Sequence, residues 1–375
     1  MEIIELFQKL LQFKSLTPDD DGAFDFIRKY LGSEWTCIKV DKGDTKNRFF
    51  YKKFGKAIKG SQKFEHYCFA GHIDVVPLGE GWSVDAFEAK IQNDIIIARG
   101  SQDMKSGLAA FLHACKNTKP RDDFDGVISM LLTSDEEGEG TNGTIKVLEH
   151  LKDVNFLPNY CLVAEPTCEE VFGDSIKIGR RGSINGVLEI KGKQGHAAYP
   201  KKCINPVHLF APILAKIAGR NLDKEDKHFE PSKIVITDIR AGLEVTNVTP
   251  ATCKVMFNVR NCPKTTKEVI DDFLRKCLNG LEYNLELRQS SYPFLTNTNS
   301  KVIKILEKSI KDILWLEPKH STAGGTSDAR HCSAFGIDSI EFGVRNDTIH
   351  AVNERVYIKD VEDLNEVLIE FIKNI

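Results

Sequence analysis

Nowhere in its 375 residues does the chain hold an uninterrupted apolar run approaching the roughly 20 residues that would cross a bilayer, so no membrane span is expected. It also lacks a basic excess. With a formal net charge of −3, neither nucleic acid nor an anionic membrane is the expected partner, and a small-molecule substrate fits better. The opening segment MEIIELFQKLLQF carries Glu2 and Glu5 where a signal peptide would carry positive charge. Its Ile3, Ile4, Phe7, Leu10 and Leu11 fall at helical spacing, which predicts a packed amphipathic helix. Ten cysteines are scattered from Cys37 to Cys332 without any CxxC, most of them inside apolar runs such as Tyr67-Cys68-Phe69. Buried free thiols are expected, and with them a cytoplasmic location. There is no low-complexity linker and no short-period repeat.

What is present is enough apolar sequence, 41% of residues, to bury a large core across two or three domains. In the first half, apolar runs alternate with helical patterns: YCFA (67–70), DIIIA (94–98), GLAAFLHAC (107–115), GVISMLLT (126–133) and YCLVA (160–164). Such alternation predicts an α/β layer on a mostly parallel sheet. From about residue 180 the order becomes β-α-β-β-α-β, a ferredoxin-like unit. Its strands are read in SINGVLEIKG, KIVITDIRAG, ATCKVMFNVRN and YNLELRQS. In its first helix Asn205 caps, Pro206 suits the first turn, and Val207, Phe210, Ile213, Leu214 and Ile217 share a face; the second opens with Thr265-x-x-Glu268 as a capping box. VIKILEKSIKDILWL and DSIEFGV then return to the first pattern. The expected division is therefore 1–178 with 294–375 as one domain and 179–293 as an insertion.

The segment LLTSDEEGEG runs from apolar residues into four carboxylates in five positions, Asp135, Glu136, Glu137 and Glu139. Other candidate ligands also follow apolar runs: His72 and Asp74 after YCFA, Asp103 after IIIARG, Glu165 after YCLVA, and His350 after IEFGV. Ligand crevices of open α/β sheets form outside the carboxyl ends of strands. Carboxylates crowded there resist ionisation unless cations compensate them, because burying unpaired charge is costly. Two histidines with several acids suit zinc or a similar ion, and a pair of metals can share one bridging carboxylate. Each residue alone has an ordinary reading, Asp103 as a helix cap or DEEGEG as a solvated turn; the coincidence of all of them favours a metal site.

FAGHIDVVP, ARGSQDMKSGLAA, LLTSDEEG, VAEPT, GRRGS, GHAAYP, GGTSD and TIHAVNE, spread over nearly the whole chain, resemble the dinuclear-zinc amidohydrolases and exopeptidases. That family includes carboxypeptidases, aminoacylases and acetylornithine deacetylase. The resemblance implies a mostly parallel-sheet zinc-hydrolase domain with an inserted lid and dimerisation domain. It implies two zinc ions per subunit, cobalt being able to substitute, held by His72, Asp103 and Glu165 and by Asp103, Glu137 and His350. It further implies that Asp74 orients His72, that Glu136 is the general base, and that His196 steadies the oxyanion from the other subunit of a homodimer. For a substrate bearing three carboxylates it points to Lys177, Arg180, Tyr199, Asn247, Arg260, Gly325 and Thr326. Thr246, the MKSG segment and SDARH depart from the usual pattern, none of them at an implied ligand. The expected reaction is metal-dependent hydrolysis of an amide in an N-acyl amino acid, with N-acetylornithine as an alternative substrate. A binder without catalysis is the contrary reading, and it would predict loss of the base at Glu136.

Overall fold

The computed structural model describes residues 1–56 and 64–375 and divides into two compact units. The first comprises Met1–Gly179, Leu295–Ser321 and Ser327–Ile375; the second comprises Arg180–Phe294 and Thr322–Thr326. The short piece Thr322–Thr326 groups with the insertion because Thr322 Oγ1 donates to the His228 carbonyl and Arg180 Nη1 donates to that of Ala323 at 2.7 Å.

The first unit is built on an eight-stranded sheet. Its centre is parallel, in the spatial order Gly126–Thr133, Glu65–His72, Tyr160–Val163, Asp338–Glu341. Antiparallel strands begin on both flanks, Asn47–Lys53 against Gly126–Thr133 and Ser175–Lys177 against Asp338–Glu341. Gly126–Thr133 is buried along its whole length, so its continuous apolar run reads as a strand covered on both faces. The helix Lys105–Asn117 is buried on nearly every side from Lys105 to Leu112, a core helix rather than an amphipathic one. The predicted N-terminal helix is Ile3–Leu11, burying Leu6, Phe7, Leu10 and Leu11.

Register positions the site. His72 lies opposite Thr133, two residues before Asp135. Ala70 lies opposite Val163, so the parallel pairing continued by two residues brings Glu165 level with His72. Three adjacent parallel strands thus end with their charged residues side by side. DIIIA departs from expectation: Ile95–Ile97 is the middle of a separate three-stranded antiparallel sheet with Lys90–Gln92 and Arg355–Tyr357. A triplet of isoleucines signals a strand without saying which sheet it joins.

The second unit has the strand order Lys233–Ala241, Thr252–Arg260, Ser183–Lys191, Tyr283–Ser291, all antiparallel. Helices Pro206–Ile217 and Lys267–Cys277 share one core with this sheet through Phe210, Ile213, Ile217, Ile270 and Leu274 against Leu188, Val255 and Phe257. Asn205 caps the first helix through the Val207 N–H, as its sequence implies. Val207 itself is 39% exposed and lies off the buried stripe. The second helix is capped by Thr266, which accepts from Val269 N, and not by Thr265, whose hydroxyl binds Asp223 instead.

Candidate metal centre

The site in the first unit is built from strand ends and two loops. His72 closes its strand, Glu136 and Glu137 follow Gly126–Thr133, Glu165 follows Tyr160–Val163, and Asp103 and His350 stand on irregular segments. Two donor sets result, His72–Asp103–Glu165 and Asp103–Glu137–His350, with the ligand atoms of each within 4.8 Å of one another. His72 Nε2 is 3.1 Å from Asp103 Oδ1 and 3.7 Å from Glu165 Oε1. His350 Nε2 is 3.0 Å from both Asp103 Oδ2 and Glu137 Oε1. A tetrahedral ion with bonds of about 2.0–2.1 Å holds neighbouring ligand atoms about 3.3 Å apart, so both sets fit a divalent cation. Asp103 gives one oxygen to each set.

The chemistry of the neighbours supports the same fit. His72 Nδ1 donates to the Asp74 backbone carbonyl at 2.9 Å, which leaves Nε2 as the ligating nitrogen. The Asp74 carboxylate lies farther from that ring, at 3.6 Å, and accepts the backbone N–H of Glu137 at 3.0 Å and of Glu136 at 3.4 Å. It therefore pins the acidic loop as well as flanking His72. Glu136 belongs to neither donor set.

Without cations the acids are under strain. Burial, followed by the charges of Asp328, Asp103 and Glu137 and opposed by His72, pushes the Glu136 carboxyl up to about 8. Burial and then the Asp103 charge raise Glu165 well above the carboxylate range, and burial pushes Asp74 up to about 6. Burial would discharge His72, but the hydrogen bond to Asp103 and the surrounding carboxylates outweigh it and raise its pKa. Hydrogen bonds to Asp103 and Glu137 push His350 up to about 10. In Asp103 burial is outweighed by the hydrogen bonds from His350 and His72, and its pKa falls well below the usual range. Protons stand in for missing positive charge, and a pair of divalent ions would relieve the same excess.

The remaining sequence candidates are divided between the units. Lys177 Nζ, in the first, is engaged by Ser321 Oγ at 3.1 Å and Glu169 Oε1 at 3.3 Å. Arg180, Gly325 and Thr326 belong to the second unit, where Arg180 holds the Ala323 carbonyl. His196 and Tyr199 are exposed there with their rings 5.7 Å apart. Asn247 accepts the Ala197 N–H through its carbonyl at 2.9 Å. Arg260 shares a cleft of about 530 Å³ with Arg181, Glu230 and Lys233. Sequence reasoning missed Lys105, fully buried, whose ammonium donates to the Phe13 carbonyl at 2.9 Å and is pushed down to about 7 by burial against the pull of Asp74 and Glu354. A lysine opening a helix buried on all sides was the available signal.

The chain matches peptidase family M20/M25/M40 over residues 68–374. It is 65% identical over 374 residues, all of both chains, to the succinyl-diaminopimelate desuccinylase of Aliarcobacter butzleri. Among solved structures it resembles the aminopeptidase PepT of Bacillus cereus, with TM-score 0.79 and 18% identity over 99% of this chain and 97% of that one. It also resembles Bacillus subtilis YXEP, described as a dinuclear metal binding peptidase of the M20 family, with TM-score 0.73 and 14% identity over 99% and 96%.

Proposed function

The chain belongs to peptidase family M20/M25/M40 and is a metal-dependent amide hydrolase, and we propose that the amide it cleaves is that of N-succinyl-LL-2,6-diaminopimelate, giving succinate and LL-2,6-diaminopimelate. The observation that carries this reading is a pair of donor sets sharing Asp103, in a chain so close in sequence to a desuccinylase along its full length. The reaction belongs to lysine and diaminopimelate biosynthesis.

His72, Asp103 and Glu165 would hold one zinc ion and Asp103, Glu137 and His350 the other, with cobalt able to replace zinc. Bound there, the ions would polarise the amide carbonyl and make water a usable nucleophile near neutral pH. Glu136 then takes the proton from the attacking water and passes it to the departing amine. Burial is the main cause of its raised pKa, and bound cations would oppose that effect while compensating the charges of Asp103 and Glu137, which lowers the carboxyl toward the ionised form a base needs. His196 Nδ1 accepts the Ala198 N–H at 3.1 Å, so in the neutral ring the proton sits on Nε2 and can be donated to the oxyanion. Arg180 and Arg260 grip substrate carboxylates, with Lys177, Tyr199, Asn247, Gly325 and Thr326 completing recognition. The protein works as a cytoplasmic homodimer in which His196 serves the partner's site; family likeness and ten free cysteines support this part.

The test is hydrolysis by purified protein, stripped of metal and reloaded with zinc, offered N-succinyl-LL-diaminopimelate or N-acetylornithine. Metal-dependent cleavage of the succinyl substrate is expected. Cleavage of N-acetylornithine alone would overturn the substrate, and cleavage by the stripped protein would overturn the site.

A further inference from the structure

Asp103 and His350 both belong to the second donor set, and neither stands on a strand of the large sheet. Something else must fix their separation. Three side chains do so, each 2% exposed or less: Arg99, Gln102 and Glu354. Glu354 Oε1 accepts the backbone N–H groups of Gln102 at 2.8 Å and Asp103 at 3.1 Å. Its Oε2 accepts the Gly100 N–H at 3.0 Å and Arg99 Nη1 at 2.8 Å. Arg99 Nη1 also reaches the Ala351 carbonyl at 3.2 Å, and Nη2 that of Leu78 at 3.1 Å and of His350 at 3.4 Å. Gln102 Oε1 accepts the Thr348 N–H at 2.8 Å while its Nε2 donates to Asp347.

We propose that Arg99, Gln102 and Glu354 form a clasp that sets His350 against Asp103 and thereby governs the affinity of the second cation. The inference rests on reading the donor sets as metal sites. None of the three residues contributes an atom to either set, so they are positioning residues. One carboxylate with four donors cannot be replaced in kind: a glutamine would turn its amide N–H groups toward two of those donors. His350 also needs holding, since its backbone lies in the left-handed region at φ 60°, which a residue with a side chain enters only when its surroundings enforce it. The consequence is asymmetric. His72 and Glu165 are fixed by strand ends, whereas His350 is fixed by the clasp, so loosening the clasp weakens the second cation more than the first.

Metal-stripped wild type, Gln102→Ala and Glu354→Gln are titrated with Co2+ in competition with a chelator, and the visible absorption of the bound cobalt is followed. Far-UV circular dichroism establishes that each variant is folded. In wild type two cations bind; fewer would count against the site reading itself, not against the clasp. Removing a partner that orients a ligand typically costs about 10- to 100-fold in metal affinity. The expected result is that range of loss for the second cation in Glu354→Gln, about tenfold in Gln102→Ala, and a smaller change for the first in both. Should Glu354→Gln not fold, Gln102→Ala decides alone, since it cuts only the links to Asp347 and Thr348. Equal weakening of both cations would mark the residues as general scaffolding, and unchanged affinities would remove their role; either overturns the proposal.

Discussion

Adding one methyl group at Gly107 should disable the first donor set. Gly107 lies in the first turn of the helix Lys105–Asn117, and a Cβ there would come within 2.3 Å of the Ala164 carbonyl oxygen and 2.4 Å of the Ala164 Cβ. A carbon and a carbonyl oxygen keep about 3.3 Å or more even in their closest favourable contacts, so something must shift by about 1 Å. Ala164 cannot yield on its far side. A Cβ at Gly343 would meet the Glu165 carbonyl at 2.4 Å and that of Ala164 at 2.8 Å, so two glycines grip the strand end from which Glu165 projects. Either Glu165 moves, or the helix that begins two residues after Asp103 does. Helix propensity favours alanine by up to about 1 kcal/mol, but overpacking a tight interior costs about 1–3 kcal/mol, so the clash should win. Taking a net loss of about 1–2 kcal/mol at about 2–4 °C per kcal/mol, the expected fall in Tm for Gly107→Ala is about 2–8 °C. A 1 Å displacement of a catalytic group can cost about 100-fold, and kcat/KM should drop by that order. Calorimetry on stripped and zinc-loaded protein, with cation titration and amide hydrolysis, would measure all three. An unchanged or higher Tm together with unchanged affinity for the first cation would show slack in the contact and refute the reasoning.

Glu136→Ala should bind both cations as wild type does yet lose turnover by about 100- to 10,000-fold, the usual worth of a positioned base; near-normal turnover would remove Glu136 from the mechanism. His196→Ala should lower kcat more than it raises KM, since an oxyanion donor acts in the transition state, and a change in KM alone would reassign it to recognition. If His196 serves the partner subunit, mixing and reassociating the Glu136→Ala and His196→Ala proteins should restore about a quarter of wild-type activity, because half of the dimers then carry one intact site of two. No recovery would place His196 and Glu136 of one site on the same chain. Metal loading should release protons, because His72 and His350 are both held above their ordinary value in the metal-free protein and must be neutral to ligate. Raising the pH from about 6 toward 10 removes those protons beforehand, so affinity should rise with pH; calorimetry at pH 7.5 in buffers of different ionisation enthalpy should find a net release of protons, from His72, His350 and also Glu165, whose carboxyl is held above its usual range and must ionise to ligate, and none displaced would contradict the assignment.

How far the site could be read from sequence depended on what kind of backbone carries each residue. His72 ends, and Glu137 and Glu165 follow, apolar runs that are true parallel strands, and there the charged residue at the end of the run marks the crevice directly. Asp103 follows DIIIA, which pairs in a different sheet, so the cue pointed to a ligand candidate for a reason that does not hold in the fold. The Thr265 cap failed through tertiary competition: Asp223 takes its hydroxyl, and Thr266 one residue on takes the cap. Glu354 and Arg99 are 255 residues apart and satisfy backbone groups, which leave no periodic or compositional trace.

The proposed placement of the two groups of residues accounts for why reaction type is easier to read from the sequence than substrate. The residues proposed to bind metal or to act as the base all lie in the first unit, while those proposed for recognition lie, apart from Lys177, in the second. The first group is constrained by charge: four carboxylic acids and two histidines brought together must be compensated by protons or cations, and the motifs that accomplish this are dense and local. The second group is constrained only by what it must contact, and an arginine such as Arg260 looks in sequence like any solvated cation. Lys177 has partners of its own in the first unit, its ammonium donating to Glu169 and Ser321. If the recognition residues are those proposed, they can change without disturbing the donor sets, which lie in the other unit. A family built this way can keep one reaction and diverge in the amides it cleaves.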